Sequence, residues 1–459
     1  MIRKTAWTLF PAIALLSSCA VFKPEPRPES SNLPGRFSLY SEGTMDTTNR
    51  WWTSFGIPEL DALIDEALTN SPSLQQAVAR MAQADAVAAK TRAGRFPSLS
   101  YAGSASATRT EGSDETSERY NAGLLASYEV DLWGRVKSAT KADRLEYEAS
   151  REALNTAAIT LSSRTALTWA GIIAQRLQLK LIEQQLESNQ TTLELIELRF
   201  RKGISTALAV YQQRQTVAGT EALIPQRQLI AETQRNELAA LLGRADFESL
   251  EIVQEALPEI GPLPAIGIPA DVLANRPDVR QAGLRLQAAE WQVSAARADR
   301  LPAIRLTGSL DYSSSELADL FDNWVANLAA SITGPIFDGG RRKAEVARTR
   351  AVADERLAAY RETVLNAIKE VENALASEQR QHEYIAKLDR QLEAARTTYE
   401  EAVNRYRNGI VEYTDALRQL EILQGLERLR VVAQYDLIRY RIDLYRAMGG
   451  TWPAELALN

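Results

Sequence analysis

The sequence predicts an α+β chain built from two internal repeats. Each repeat should contribute two strands of the kind found in transmembrane β-barrels and one long antiparallel helical hairpin of coiled-coil type. Three observations carry that expectation. First, landmarks recur at a fixed spacing. Pro97-Ser98-Leu99 is answered by Pro302-Ala303-Ile304, Gly134-Arg135 by Gly340-Arg341, Gly203-Ile204 by Gly409-Ile410 and Leu242-Gly243 by Met448-Gly449, with offsets of 205 once and 206 three times. Second, runs of about ten residues alternate apolar and polar side chains, the period of a strand with one wet and one greasy face. Third, the stretches Gly134–Lys202 and Gly340–Asn408 contain no proline; as helices, at ~1.5 Å per residue, each would run roughly 100 Å.

Taken in order, residues 1–18 read as a signal peptide. Arg3 and Lys4 precede the short apolar stretch Thr5–Leu16, too short to span a bilayer as a helix. Leu16-Ser17-Ser18-Cys19 resembles the lipobox of bacterial lipoproteins, which implies lipidation of Cys19 as the mature N-terminus. An ordinary signal peptide with an incidental cysteine is the plainer alternative. Ala20, rather than Asp, follows Cys19; by resemblance to sorting rules in enteric bacteria this favours the outer membrane. Beyond this point no run of 18 apolar residues occurs, and the other way across a bilayer is a closed β-barrel.

Residues 19–57 form an N-terminal segment, and residues 58–243 form the first repeat. The latter opens with a helix over Pro58–Ala93, rich in Ala, Leu, Gln and charge. Strands follow at about 97–109 and 119–133. From Tyr120 to Leu132 the even positions read Tyr, Ala, Leu, Ala, Tyr, Val, Leu and the odd ones Asn, Gly, Leu, Ser, Glu, Asp. The run Leu99–Ala107 is weaker and full of small residues. A soluble half-buried sheet would alternate in the same way, so the lipoprotein-like signal tips the reading toward a barrel. The long hairpin comes next, with its tip at Gly203, where glycine supplies the positive φ of a reversal. Leu179, Ile182, Leu186, Asn189, Leu193, Ile196 and Phe200 step by threes and fours along its first arm, a heptad seam. Residues 244–269, with the Pro/Gly-rich stretch Asp246–Ile268, read as a linker. The second repeat, 270–449, runs through a helix over Asp271–Asp299, strands at about 302–314 and 323–337 and a hairpin with its tip at Gly409. Its seam of Ile385, Leu388, Leu392, Ala395, Tyr399, Ala402 and Tyr406 is the first seam displaced by 206. Residues 450–459 form a tail.

Four strands cannot close a barrel, since known barrels begin at about eight, and an open edge is not tolerated in lipid. Copies of the chain must pool strands; two copies or three would serve. Composition narrows the rest. The 459 residues are 45% hydrophobic and 24% charged with net charge −6, and no Lys/Arg block suggests nucleic acid. One cysteine and one histidine leave no intrachain disulfide and almost no Cys/His zinc site. No nucleotide-binding or serine-nucleophile motif is present, and His382, between Gln381 and Glu383, reads as a solvated surface residue. The expectation is therefore no enzyme and no cofactor beyond the lipid on Cys19.

Several stretches resemble the TolC-like outer-membrane factors of tripartite efflux pumps, in particular the lipoprotein branch paired with RND-type transporters (NodT/OprM-like). They are Trp51-Trp52 with PELDALIDEALTNSPSL (Pro58–Leu74), SYEVDLWGRV (Ser127–Val136), GIPADVLANRPDVRQA (Gly267–Ala282), GPIFDGGRRKAEV (Gly334–Val346) and LYRAMGGTW (Leu444–Trp452). The resemblance covers essentially the mature chain. It implies a homotrimer whose twelve strands form one barrel in outer-membrane lipid and whose helices form an α-helical coiled-coil barrel through the periplasm. A mixed equatorial region would be drawn from the N-terminal segment, the linker and the tail. It further implies a passive exit duct for small toxic compounds or drugs, delivered by an inner-membrane RND transporter and a periplasmic membrane-fusion adaptor. A duct for protein or metal-ion export, a non-pore scaffold lipoprotein and a peptidoglycan hydrolase are the alternatives. With only four methionines, a methionine relay for copper or silver is not evident.

The resemblance also places a periplasmic gate. Tyr406 and Gly409 match the family's tip pattern, Asp415 matches a ring carboxylate and Glu412 is a second candidate. Val411 stands where the family pattern has an arginine, Arg418 where a second acid would be, and Ala209 where the first repeat's Asp is expected. The closing latch must therefore differ, with Arg405, Arg407 and Arg418 as candidates. The tip turns Gly203-Ile204-Ser205 and Gly409-Ile410-Val411 are the expected adaptor contacts.

Overall fold

The computed structural model describes residues 22–24, 34–39, 50–109, 111–112 and 116–450. The expectations for the signal peptide, for lipidation of Cys19 and for all but the first residue of the tail fall outside that range. The chain divides into two compact units. The first comprises the described parts of Met1–Ser31, Ala79–Glu152 and Arg280–Thr363, and the second those of Asn32–Val78, Ala153–Val279 and Val364–Asn459.

In chain order the helices are α1 (Pro58–Asn70), α2 (Pro72–Ala93), α3 (Arg135–Arg201), α4 (Ala207–Leu241), α5 (Pro269–Asn275), α6 (Pro277–Ala298), α7 (Arg341–Arg407) and α8 (Tyr413–Ala447). The strands are β1 (Ser98–Arg109), β2 (Thr116–Val130), β3 (Ala303–Ser314) and β4 (Trp324–Thr333). The two long helices α3 and α7 have 67 residues each, and their return helices α4 and α8 have 35 each. Among the described residues, no helix is long and apolar enough to cross a membrane.

The single opening helix expected in each repeat is corrected to two. Pro72 and Pro277 lack the N–H that would continue the backbone ladder, and each pushes the residue before it out of the helical region. Ser71 (φ −63°, ψ 124°) and Arg276 (φ −70°, ψ 121°) are accordingly extended.

The first unit holds a four-stranded antiparallel sheet in the order β1-β2-β3-β4. Its register aligns Tyr101, Leu124, Leu310 and Ala326 across the four strands, and likewise Leu99, Ala126, Gly308 and Leu328. Side chains alternate between faces along a strand, so one face is almost wholly apolar, from Ile304 and Ile332 through Leu328 to Tyr312 and Trp324. Leu328, Ile332 and Trp324 are 86%, 73% and 63% exposed in the single chain. The opposite face carries Ser100, Ser104, Asn121, Ser127, Thr307, Ser309, Asp311 and Asn327. The small residues that weaken the alternation of β1 still keep this register.

Strands β2 and β4 stop at Val130 and Thr333, short of the expected 133 and 337. The intervening residues belong to strand-to-helix turns. Asp131 accepts from the backbone N–H groups of Val136 (3.0 Å) and Lys137 (2.7 Å) at the start of α3. Asp338 does the same for Gly340 and Arg342 at the start of α7. Both carboxylates satisfy helix N-terminal donors that otherwise lack partners.

In the second unit the helical arms pack lengthwise. Leu388, Leu426 and Ala433 form a core strip between α7 and α8, flanked by Ile385, Leu392 and Ala395. The N-terminal segment and the linker pack against the same helices: Phe37 and Ile266 are buried with Val371, Leu375, Leu444 and Met448. Arg441 and Glu378 form a buried ion pair at 2.6 Å. Arg441 also donates to the carbonyl oxygens of Gly261 (2.9 Å) and Pro262 (3.0 Å), pinning the linker. His382 is exposed, 3.9 Å from the Glu378 carboxylate.

Candidate functional site: the hairpin tips and the seam behind them

Both tips are built alike, by the local chemistry of a helix end. Gly203 and Gly409 take φ of +73° and +70°. The N–H of Ile204 bonds back to Arg199 O and that of Ile410 to Arg405 O, each at 2.9 Å. Gly203 and Gly409 likewise bond to Phe200 O and Tyr406 O. These closures satisfy the last carbonyls of α3 and α7. Ile204 and Ile410 stand 62% and 68% exposed at the two tips, while Ser205 and Val411 are half-buried.

The hairpins then diverge. Thr206 caps α4 by accepting from Ala209 N–H at 3.2 Å. Glu412 holds the equivalent position before α8 but makes no side-chain cap. Asp415 sits in the first turn of α8, exposed, with its N–H on Glu412 O at 3.2 Å. Neither carboxylate forms an ion pair with a described residue, so both are available at the tip.

Behind the tips a polar clasp joins the two hairpins. The Tyr413 hydroxyl donates to Gln213 Oε1. Thr414 donates to Gln212 Oε1 and Thr216 to Glu421, both at 3.2 Å. The Arg199 guanidinium lies 4.9 Å over the Tyr406 ring, and the Tyr406 and Tyr413 rings meet edge to face at 5.4 Å. Burial pushes the Tyr413 phenol well above its ordinary range, with Tyr399, Tyr406 and Glu421 nearby adding to the effect. It is therefore a neutral hydroxyl, and a donor, at physiological pH. Tyr399 is raised too, by burial, against the pull of Arg407. These rings and Arg407 line a cavity of about 340 Å³ floored by Ile196, Leu417 and Leu420.

The clasp continues as a column of buried amides. Gln213 donates to Asn189 O at 2.7 Å. Asn189 and Gln424 exchange side-chain hydrogen bonds at 3.0 and 3.3 Å, and Asn189 also donates to Thr220 at 3.0 Å. Gln185 donates to Gln424 O and to Glu427, accepts from Arg428, and is followed by Gln178 on Arg428 O. Gln178, Gln185, Asn189, Gln213 and Gln424 are all buried. Groups of this kind are tolerated inside when paired; in this column Gln178 Oε1 alone is buried without a partner among the described residues.

The three arginines expected as latch candidates stand as follows. Arg405 pairs with Glu401 on its own helix at 2.8 Å. Arg407 is exposed beside the cavity, and Arg418 is exposed without an ion-pair partner among the described residues. The contacts between the two hairpins are made instead by Arg199, the residue 206 positions before Arg405, and by Tyr413, Gln213 and Thr414. Tyr406 packs in the clasp against Arg199 and Tyr413. Phe200, its counterpart, was expected in the seam but is 46% exposed. In sequence Gln reads as surface, and the seven-residue spacing of Gln178 and Gln185 is the local signal of their burial.

The outer membrane efflux protein family matches the chain twice, over residues 63–244 and 268–450. The pyoverdine export outer membrane protein OpmQ of Pseudomonas aeruginosa is 32% identical, with 98% of this chain and 97% of that protein covered. The cation efflux system protein CusC of Escherichia coli K12 is 30% identical over 95% of this chain and 97% of that protein. The open-state structure of the Neisseria gonorrhoeae MtrE outer membrane channel superposes with a TM-score of 0.84 at 27% identity, covering 94% of this chain and 98% of that one.

Proposed function

The chain belongs to the outer membrane efflux protein family and is a protein of the outer membrane, and from that premise we propose that three copies assemble into one exit duct of a tripartite pump. The observation that carries this reading is the sheet: four strands with one apolar and one polar face and two unpaired edges. Such a sheet needs neighbours in lipid, and three copies supply twelve strands. The matched lengths of α3 and α7, and of α4 and α8, together with the double family match, support descent from a duplicated half. In the assembly the helices continue the barrel as a coiled-coil tunnel, and Cys19 carries the lipid anchor.

The chain is not an enzyme on this reading and carries no cofactor. Substrates arrive from an RND-type transporter through a periplasmic adaptor that meets the tips, with Gly203-Ile204-Ser205 and Gly409-Ile410-Val411 as its contacts. Asp415 and Glu412 ring the constriction, where threefold repulsion and attraction for cations follow from Coulomb's law. The clasp of Tyr413, Gln213, Thr414, Arg199 and Tyr406 holds the α7–α8 hairpin against the α3–α4 hairpin. Small toxic organic compounds are the proposed cargo; the relatives are named for pyoverdine export and for cation efflux.

Cells of the natural host lacking the chain test the cargo. They should retain more of a fluorescent efflux dye and become more sensitive to drugs, and plasmid-borne chain should restore both. Unchanged retention and sensitivity, with loss of metal tolerance instead, would move the assignment to metal export.

A further inference from the structure

The polar face of the sheet carries its charges unevenly. Over the paired residues that face bears Arg119 toward one end, Glu129 and Arg305 toward the other, and Asp311 between them. Glu129 is engaged by Arg135 at 2.8 Å. Asp311 pairs across the sheet with Gly123 on one side and Val325 on the other, so no charge faces it from either neighbouring strand.

Gly123 is part of the arrangement. A Cβ there would lie 2.6 Å from Asp311 Oδ1 and 3.0 Å from Leu310 O. The carboxylate therefore rests over bare backbone, exposed, against the wall. Any larger residue at 123 would push it outward.

Distance decides which charge governs the middle of this face. Arg119 is four residues from the Asp311 level through Gly123, and Arg305 is six residues away along β3. At ~3.4 Å per residue these are separations of about 14 and 20 Å. Both exceed the Debye length of about 8 Å at physiological salt. The local potential is thus set by Asp311 rather than by the arginines.

Resting on the trimeric pore reading, we propose that Asp311 is a specificity-determining residue of the barrel: three copies form a mid-barrel carboxylate ring that favours cations, separate from the ring at the helical tips. For three charges about 10 Å from the axis, Coulomb attraction reduced by one Debye length corresponds to about a fourfold bias in the cation-over-anion permeability ratio at moderate salt. The bias fades as salt rises.

The test is the reversal potential of the purified full-length protein in planar bilayers under a KCl gradient, at moderate and high salt. Asp311→Asn should lower the permeability ratio about fourfold at moderate salt, about 0.15 M, and hardly at all at high salt. The effect should persist in an Asp415→Asn background. Thr307→Asp, on the same face two pairs away, should raise the ratio, which keeps the proposal testable if Asp311→Asn does not assemble. A conducting wild type whose ratio is unchanged in both variants overturns the mid-barrel ring and leaves the duct intact. Assembled protein that never conducts overturns both.

Discussion

Tyr413 and Gln213 lie 200 positions apart in the chain and meet in a buried hydrogen bond, the tyrosine hydroxyl donating to the amide oxygen. Gln213 passes the link on to Asn189 and Asn189 to Gln424, so one contact at the tip is the end of a connected polar column. Tyr413→Phe should leave a buried acceptor unmet, costing about 1–3 kcal/mol locally. Amide hydrogen exchange around 207–213 and 406–413 should quicken in the variant while the strands keep their protection. Unchanged exchange at both tips would mean the clasp does not hold them.

The same hydroxyl sets a pH dependence. Its folded pKa is raised above the ordinary phenol value of about 10, so the unfolded chain loses this proton first. The clasp's contribution is fully present below pH ~10 and falls as pH rises above it. Tip exchange should therefore be flat across neutral pH and accelerate in alkali beyond the intrinsic base-catalysed rate. In Tyr413→Phe that extra alkaline acceleration should vanish.

Glu146, in α3, titrates in the opposite region. Burial raises its pKa, helped by Asp143 and opposed by Arg285 and Arg356. A carboxyl group raised in this way favours the fold while protonated and loses that contribution as pH climbs through its folded value. Glu146→Gln should melt higher than wild type at neutral pH, and the two should converge toward pH ~4. A variant that melts lower at neutral pH would show that the two arginines outweigh the burial.

Two glycines with nearly the same φ should respond differently. Gly203 (φ +73°) has open space where a Cβ would go, so Gly203→Ala meets only the left-handed backbone cost, about 1–2 kcal/mol. Gly243 (φ +74°) would place its Cβ 2.7 Å from Asn70 O, a backbone atom that cannot swing aside. Melting temperatures should fall modestly for the first and much further for the second.

Arg441→Met should be among the most damaging single changes. It leaves Glu378, 2% exposed, without its cation and frees the Gly261 and Pro262 carbonyls. Loss of one partner of a buried pair costs about 3–5 kcal/mol, and protease cleavage within 246–268 should report the released linker. Removing both charges, with Glu378→Leu added, should recover part of the loss.

Much of this architecture was legible because duplicated landmarks locate the elements twice. Gly203 and Gly409 marked the reversals, and the alternation of Tyr120–Leu132 and Ile304–Tyr312 marked the strands, since both signals depend only on local backbone and side-chain periodicity. The breaks at Pro72 and Pro277 lie within stretches whose composition is otherwise helical, so only the prolines themselves signal them. The clasp was harder. Arg405 and Arg199 are equivalent by repeat, and nothing local says which one turns toward Tyr406. That choice depends on how two hairpins pack, as does the burial of Gln178, Gln185 and Gln213, whose side chains look like surface until a partner helix covers them.

Single-channel recording in a planar bilayer tests most directly whether the assembled chain conducts. Purified full-length protein beside Asp415→Ala and Tyr413→Phe should give a small cation-selective conductance, altered in selectivity by the first variant and enlarged by the second. Correctly assembled trimers that stay electrically silent in all three forms would contradict the duct.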